Sequence, residues 1–312
     1  MRVRILGAAA GGGFPQWNCH CENCARMRRG ALRATPRTQC SVAVSADGRR
    51  WCLLNASPDI LAQLRTLPGP DGVHTADRAG PLDAILLTDA ELDHCAGLLA
   101  IRETGSLALY STAIVRNWIF GKNAVFAALC QPGRLDWRQL SPSVATIAAE
   151  TVMRTAAGAD TGLRCAALPV AAKIPRHAGA AGPEPSGAAI AVRIRSVNGG
   201  GALLYAPCFR RLDEALIDAA RGAACLILDG SFWWEDEMAR RGVGAATASA
   251  MGHLAIGGPH GSLAALRTLS GMRKLYSHIN NTNPILDEHS AERQMLASAG
   301  FELAADGMTL EL

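Results

Sequence analysis

No apolar run in this chain approaches the roughly 20 residues that a membrane-spanning helix requires, and no basic stripe marks a nucleic-acid surface. The formal charge of +4 is mild, and the arginines are scattered apart from short pairs such as Arg28-Arg29 and Arg240-Arg241. A membrane span and a nucleic-acid partner are therefore not expected. The start, Met1-Arg2-Val3-Arg4-Ile5-Leu6-Gly7, lacks the apolar core of a signal peptide and reads as a first β-strand. No repeat recurs at a fixed period.

What the chain does have is bulk: 312 residues, 49% of them hydrophobic, enough for one large core. A single α/β domain over 1–312 is the simplest organisation. Strand-like runs fall at Val3 to Leu6, Cys40 to Val44, Trp51 to Leu54, Ala84 to Leu87, Leu107 to Tyr110, Ala188 to Ile194, Leu203 to Ala206, Cys225 to Asp229 and Lys274 to Ser277. Helical patterns follow several of them, at Pro58 to Thr66, Leu92 to Glu103, Asp213 to Ala220, Ser262 to Leu269 and Ser290 to Ala299. Ser57-Pro58 is a favoured helix start. The Ala-, Gly- and Pro-rich stretch from Ala171 to Gly187 reads as a long surface loop or lid.

Ten cysteines spread over so long and apolar a chain do not suggest a disulfide framework, and a reducing cytoplasm is the expected compartment. Cys40, Cys52, Cys95 and Cys225 sit among apolar or small residues and behave as small hydrophobes. Cys19-His20-Cys21-Glu22-Asn23-Cys24 is different. Three thiolates within six residues repel one another unless a cation binds them, which predicts a structural zinc on Cys19, Cys21 and Cys24. Spacing does not reveal a fourth ligand.

Chemistry concentrates at strand ends. Thr88-Asp89-Ala90-Glu91-Leu92-Asp93-His94-Cys95-Ala96-Gly97 follows a short apolar run and resembles the metal-binding loop of the metallo-β-lactamase superfamily, T-H-x-H-x-D-H-x-x-G. The first two histidines of that pattern are Asp89 and Glu91; Asp93, His94 and Gly97 are kept. His278 ends another strand and precedes a run of amides, Asn280, Asn281 and Asn283, read as a polar substrate-binding surface. Asp229 closes a third buried strand, and His253 in Met251-Gly252-His253-Leu254 is a partner it can orient for proton transfer.

Taken with these, Gly11-Gly12-Gly13-Phe14-Pro15-Gln16-Trp17-Asn18, Asn55-Ala56-Ser57-Pro58-Asp59-Ile60, Arg240-Arg241-Gly242-Val243-Gly244 and His278-Ile279-Asn280-Asn281-Thr282-Asn283-Pro284 resemble the pyrroloquinoline quinone (PQQ) biosynthesis protein B family along essentially the whole chain. The resemblance implies a metallo-β-lactamase-like four-layer αββα sandwich, and a role in making PQQ from a Glu- and Tyr-containing precursor. It also implies departures from the superfamily's hydrolases. Tyr205-Ala206-Pro207-Cys208 has no carboxylate where a bridging Asp is usual, and Pro169-Val170-Ala171-Ala172 lacks a histidine. A water-activating zinc pair has lost its bridge and several ligands.

On the superfamily's geometry, what remains is His94 and His278 with carboxylates from Asp89, Glu91 and Asp93, the choice among the three being open. Two imidazoles and a carboxylate suit non-haem Fe(II) and dioxygen. The family resemblance implies an iron(II) oxygenase that hydroxylates the tyrosine ring of a small peptide or amino-acid-derived PQQ precursor, with Asp229 and His253 handling the phenolic proton. A zinc hydrolase on the same ligands, and a carrier or transport-related protein binding PQQ or its precursor, are the alternatives. A homodimer is compatible with either.

Overall fold

The computed structural model describes residues 1–68, 80–127, 129, 134–144, 150–179 and 182–312. Among them, fourteen strands form two seven-stranded sheets. The first sheet holds β1 (Arg2–Gly7), β2 (Ser41–Ser45), β3 (Trp51–Leu54), β4 (Leu82–Leu86), β5 (Leu107–Ser111) and β6 (Leu135–Gln139). The second holds β7 (Thr151–Arg154), β8 (Asp160–Val170), β9 (Ala189–Ser196), β10 (Leu203–Ala206), β11 (Cys225–Asp229), β12 (Arg273–Ser277) and β13 (Glu302–Leu303). The final strand, β14 (Thr309–Glu311), returns to the first sheet beside β1, giving the orders β14-β1-β2-β3-β4-β5-β6 and β13-β12-β11-β10-β9-β8-β7. Strands β3 to β6 run parallel, as do β10 to β13.

Alternate side chains along each central strand enter different cores, which is why these strands read as continuous apolar runs. Cys52, Leu54, Ala84 and Leu86 from the first sheet meet Ile190, Val192, Tyr205 and Ile227 from the second in the layer between the sheets. Leu53, Ile85 and Leu109 point outward onto Ile60, Cys95, Leu98 and Trp118. On the opposite face Leu204, Leu226, Leu228 and Tyr276 pack on Leu216, Leu266 and Leu296. Helix, sheet, sheet, helix is the four-layer order expected from the motifs.

Local details differ from the periodicity-based reading. One helix was expected over Leu92 to Glu103; two short ones form, Leu92–Cys95 and Gly97–Ala100, because Gly97 N–H donates to Ala56 O instead of continuing the ladder. The helix after β3 spans Ile60–Leu64, with Ser57 to Asp59 in the preceding turn, so Pro58 is not its first residue. Strands β6, β7, β8, β13 and β14 were not expected: β6 and β7 are edge strands with half-buried faces, β8 carries Gly162, two alanines and Pro169, and β13 and β14 are only two and three residues long. Cys40, Cys52, Cys95 and Cys225 are all buried and unbridged. Of the expected loop Ala171 to Gly187, residues 180 and 181 lie outside the described residues; Arg176–Ala178 forms a 3-10 turn with Ala178 buried.

Burial also sets a pH response. Glu237 is fully buried, accepts from Thr282 Oγ1 at 2.5 Å and from Trp233 N at 2.6 Å, and has its carboxyl pushed up from 4.5 to about 7, chiefly by loss of solvent. An acid with a raised folded pKa contributes stability that is present below about pH 4.5 and lost as pH rises to about 7. Unfolding free energy of the wild type should therefore fall between pH 5 and pH 8 by on the order of 2–3 kcal/mol more than that of Glu237→Gln. Urea denaturation at a series of pH values measures that difference; parallel curves would contradict it.

Candidate active site

Four strand ends meet at one edge of the sandwich: Thr88 to His94 follow β4, Cys208 follows β10, Asp229 and Ser231 close β11, and His278 follows β12. These strands run parallel within their sheets, and their carboxyl ends open onto a crevice of the kind that binds ligands in α/β proteins. The crevice is a cavity of about 590 Å³ lined by Glu91, Asp93, His94, His253, His278 and Asn280 among others. That volume suits a small molecule or a dipeptide.

Three of the candidate ligands converge. A carboxylate oxygen of Asp93 and one ring nitrogen from each of His94 and His278 lie within 4.8 Å of one another. His278 Nε2 is 3.2 Å from Asp93 Oδ2, and the two imidazoles meet edge to face with centroids 5.0 Å apart. His94 Nε2 is buried with no hydrogen-bond partner. An orphaned buried nitrogen costs about 1–3 kcal/mol, and a cation beside Asp93 would relieve it, so the donor set fits a metal. The electrostatics agree. Burial alone would raise Asp93, but the His94 and His278 imidazoles outweigh it and hold its carboxyl well below the usual range. Burial alone would lower His94, but Asp89 and Asp93 outweigh it and hold the imidazole at about 9. Without a metal, a proton on His94 supplies the positive charge these carboxylates call for.

Asp89 and Glu91 do not join that cluster. Asp89 Oδ1 and Oδ2 lie 2.9 and 2.8 Å from His94 Nδ1, and Asp89 also accepts from Thr88 Oγ1 and Glu91 N. Its carboxylate therefore accepts the Nδ1–H hydrogen bond and leaves Nε2 on the other side of the ring, the supporting role that carboxylates play behind metal-bound imidazoles. Glu91 lines the cavity but its Oε1 lies 3.4 Å from Lys173 Nζ.

The Asp229 and His253 pair is formed: Asp229 Oδ2 accepts from His253 Nδ1 at 2.7 Å, and Asp229 is fully buried. Burial would raise Asp229, yet His253, His278 and Ser231 together lower it. Ser231, which sequence pattern did not single out, joins the parts. Its hydroxyl donates to Asp229 Oδ1 at 2.6 Å and lies 2.8 Å from His278 Nδ1 and 3.1 Å from His253 Nδ1. The two rings stack with centroids 5.3 Å apart. Ser231→Ala should weaken metal binding in the cavity about 10–100-fold by freeing the His278 ring, with little change in fold; metal titration of the purified variant measures it, and unchanged affinity would remove Ser231 from the site.

Two residues carry unusual backbone. His278 has φ 54° and Asn55 φ 61°, the left-handed region that non-glycine residues avoid. His278 is held there by Ile279 N donating to Ala8 O, with Ser231 Oγ 3.0 Å from its carbonyl oxygen. Asn55 accepts from Thr88 N and so fixes the start of the ligand loop. Neither conformation is visible in residue order, because each depends on contacts far along the chain.

The amide run divides. Asn280 lines the cavity, its Nδ2 donating to Thr282 Oγ1, which in turn donates to Glu237. Asn281 and Asn283 do not face substrate as expected. Asn283 donates to Gly230 O and caps the turn over Pro284–Leu286. Asn281 is buried against the cysteine trio, its side-chain amide 3.0, 3.4 and 3.4 Å from the sulfurs of Cys19, Cys21 and Cys24. The three sulfurs lie within 4.8 Å of one another, and Cys24 is lowered to about 7, chiefly by its hydrogen bond with Cys21. The same hydrogen bond pushes the Cys21 thiol up, so these two sulfurs share a proton as a pair.

Comparison with known proteins agrees with this architecture. The Beta-lactamase superfamily domain family matches residues 50–279. Coenzyme PQQ synthesis protein B of Azotobacter vinelandii is 43% identical and that of Pseudomonas fluorescens 42%, each aligned over 100% of both chains. The crystal structure of Zn(2+)-bound PqqB from Methylobacterium extorquens superposes with a TM-score of 0.88 at 37% identity, covering 100% of both chains. With the strand order, the Asp93 and His94 loop and full-length identity in accord, this chain belongs to the coenzyme PQQ synthesis protein B family of the β-lactamase superfamily.

Proposed function

We propose that this protein hydroxylates the tyrosine ring of a small Glu- and Tyr-containing PQQ precursor, with non-haem Fe(II) held by Asp93, His94 and His278 and with dioxygen as co-substrate. The observation that carries this reading is the three-ligand cluster itself, with His94 Nε2 buried and unpartnered. Asp89 turned to His94 Nδ1, Glu91 beside Lys173, and Cys208 in place of a carboxylate remove the usual bridge of a paired-zinc site, while Cys208, Asp229 and His253 form a second group of possible ligands within 4.8 Å of one another. Ferrous iron on two imidazoles and one carboxylate supplies dioxygen activation.

The chain's own groups do the rest. Asp89 holds the His94 tautomer and Ser231 steadies His278. Asp229 accepts a hydrogen bond from His253 Nδ1–H, which leaves Nε2 as that ring's basic nitrogen to accept the phenolic proton. Cys19, Cys21 and Cys24 suit a structural zinc, and the Asn281 amide is the nearest group to complete it once turned to offer its oxygen.

The Zn(2+) in the Methylobacterium relative favours a competing reading, a zinc hydrolase on the same three ligands. Protein purified without oxygen and loaded with Fe(II) should consume dioxygen with a Glu-Tyr peptide and add oxygen to the ring, seen as a mass gain. Stoichiometric zinc in place of iron, with cleavage of the peptide, would support the hydrolase. Tight ligand binding with no oxygen uptake would support a carrier.

A further inference from the structure

We propose that Lys173, Arg176 and His177 form a carboxylate-binding subsite in the cavity wall, which grips a free carboxylate of a small substrate and so sets which part of that substrate reaches His253 and the Asp93, His94 and His278 cluster. The inference deepens the proposed function and rests on its premise of an acidic peptide-like substrate.

All three residues line the cavity and come from the segment after β8. Charge on the wall is unbalanced locally. The cavity's carboxylates are already engaged: Asp93 with His94 and His278, Glu91 with Lys173 at 3.4 Å. The Arg176 side chain has no hydrogen bond or ion pair among the described residues, although a cavity lies before it. On the next residue, His177 Nε2 is buried and also lacks a partner. An unpaired guanidinium next to an unpartnered imidazole nitrogen, with the Glu91-paired Lys173 on the same wall, suits an anionic acceptor with two oxygens. A planar guanidinium matches a carboxylate in that way.

The donors stand on a fixed base. Ala172 N donates to both carboxylate oxygens of Glu184 at 2.7 and 2.9 Å, and Arg210 N donates to Ala171 O at 2.6 Å. Gly252, next to His253, packs so closely that a Cβ there would lie 3.1 Å from Lys173 N. The cationic wall and the His253 turn therefore touch, and a substrate anchored by its carboxylate is held at a set distance from the proton-accepting ring. Such anchoring lowers the entropy cost of reaction without taking part in it.

Calorimetric titration of the full-length protein tests the subsite, with the dipeptide Glu-Tyr, its neutral counterpart N-acetyl-Gln-Tyr-amide, and Glu-Ala as probes. The wild type should bind Glu-Tyr about tenfold or more tightly than the neutral peptide at low salt, and Arg176→Gln should erase that preference. Lys173→Gln should reduce it by less. The Arg176 side chain is exposed and makes no hydrogen bond or ion pair among the described residues, so Arg176→Gln should melt at the wild-type temperature, which keeps the result free of folding effects. Equal binding of charged and neutral peptides, an Arg176→Gln variant that binds like wild type, no binding of any peptide, or displacement by equimolar inorganic phosphate would each overturn the subsite. Failure of the function reading looks different: Glu-Tyr bound through Arg176 without oxygen uptake, or Glu-Ala bound as tightly as Glu-Tyr, upholds the subsite and counts against tyrosine hydroxylation.

Discussion

His94→Ala should lower metal affinity in the cavity by more than about 100-fold, beyond what loss of a supporting hydrogen bond costs, while metal on the cysteine trio remains. His94 is one of the three proposed ligands, and nothing else is poised to replace it: Asp89 lies behind the ring against Nδ1 and Glu91 is drawn to Lys173. The same change should destabilise the metal-free protein by about 3–5 kcal/mol, because it strips the buried Asp89 and Asp93 of the imidazole that holds both carboxyls low. His94 is a cleaner choice than His278, since His278 is three residues from Asn281 and shares a strained backbone with the cysteine cluster's support. Metal content per chain, with a chelator series to separate the two positions, measures the first effect; urea unfolding measures the second. Loss of both metals together would argue against two independent centres.

Gly97→Ala should cost about 3 kcal/mol of folding stability and disturb the ligand loop as well. A Cβ at Gly97 would lie 2.1 Å from Ser57 O, 2.8 Å from Ala56 O and 2.9 Å from Ala56 C, all backbone atoms that cannot rotate away. The two segments are stitched together there: Gly97 N donates to Ala56 O at 2.9 Å and Ala56 N donates to His94 O at 2.7 Å. Pushing Ala56 outward therefore moves His94 itself. Gly105→Ala is the control, with no atom within 4 Å of its added carbon and no positive φ; it should change stability by less than about 0.5 kcal/mol. Equal denaturation midpoints for the two variants would refute the packing argument.

Much of the site was legible in residue order because its key groups sit at the carboxyl ends of apolar strands. Asp93, His94, His278 and His253 line the same crevice, with Asp229 buried behind His253. Roles were harder to read than locations. Asp89 and Asp93 are four residues apart with the same chemistry, yet one faces the cavity and the other faces the back of His94; that choice belongs to the loop's backbone, pinned by Asn55 and Thr88. Asn280 and Asn281 are neighbours, and one reaches the cavity while the other reaches the sulfurs of a cluster some 260 residues earlier in the chain. Ser231 gave no signal at all, since a serine after a strand is common and its three partners come from three segments.

Sequence alone determined the class of architecture, the thiol trio and the retained pair Asp93 and His94, because these rest on local patterns: apolar strand runs, close cysteine spacing and a short motif. Tertiary structure decided which carboxylate can bind and which only orients, where each asparagine points, and that the segment after β8 brings Lys173, Arg176 and His177 to the cavity. The physical reason is the same in each case. A side chain's chemistry is written in its residue type, but its direction is set by hydrogen bonds and packing with residues distant in the chain.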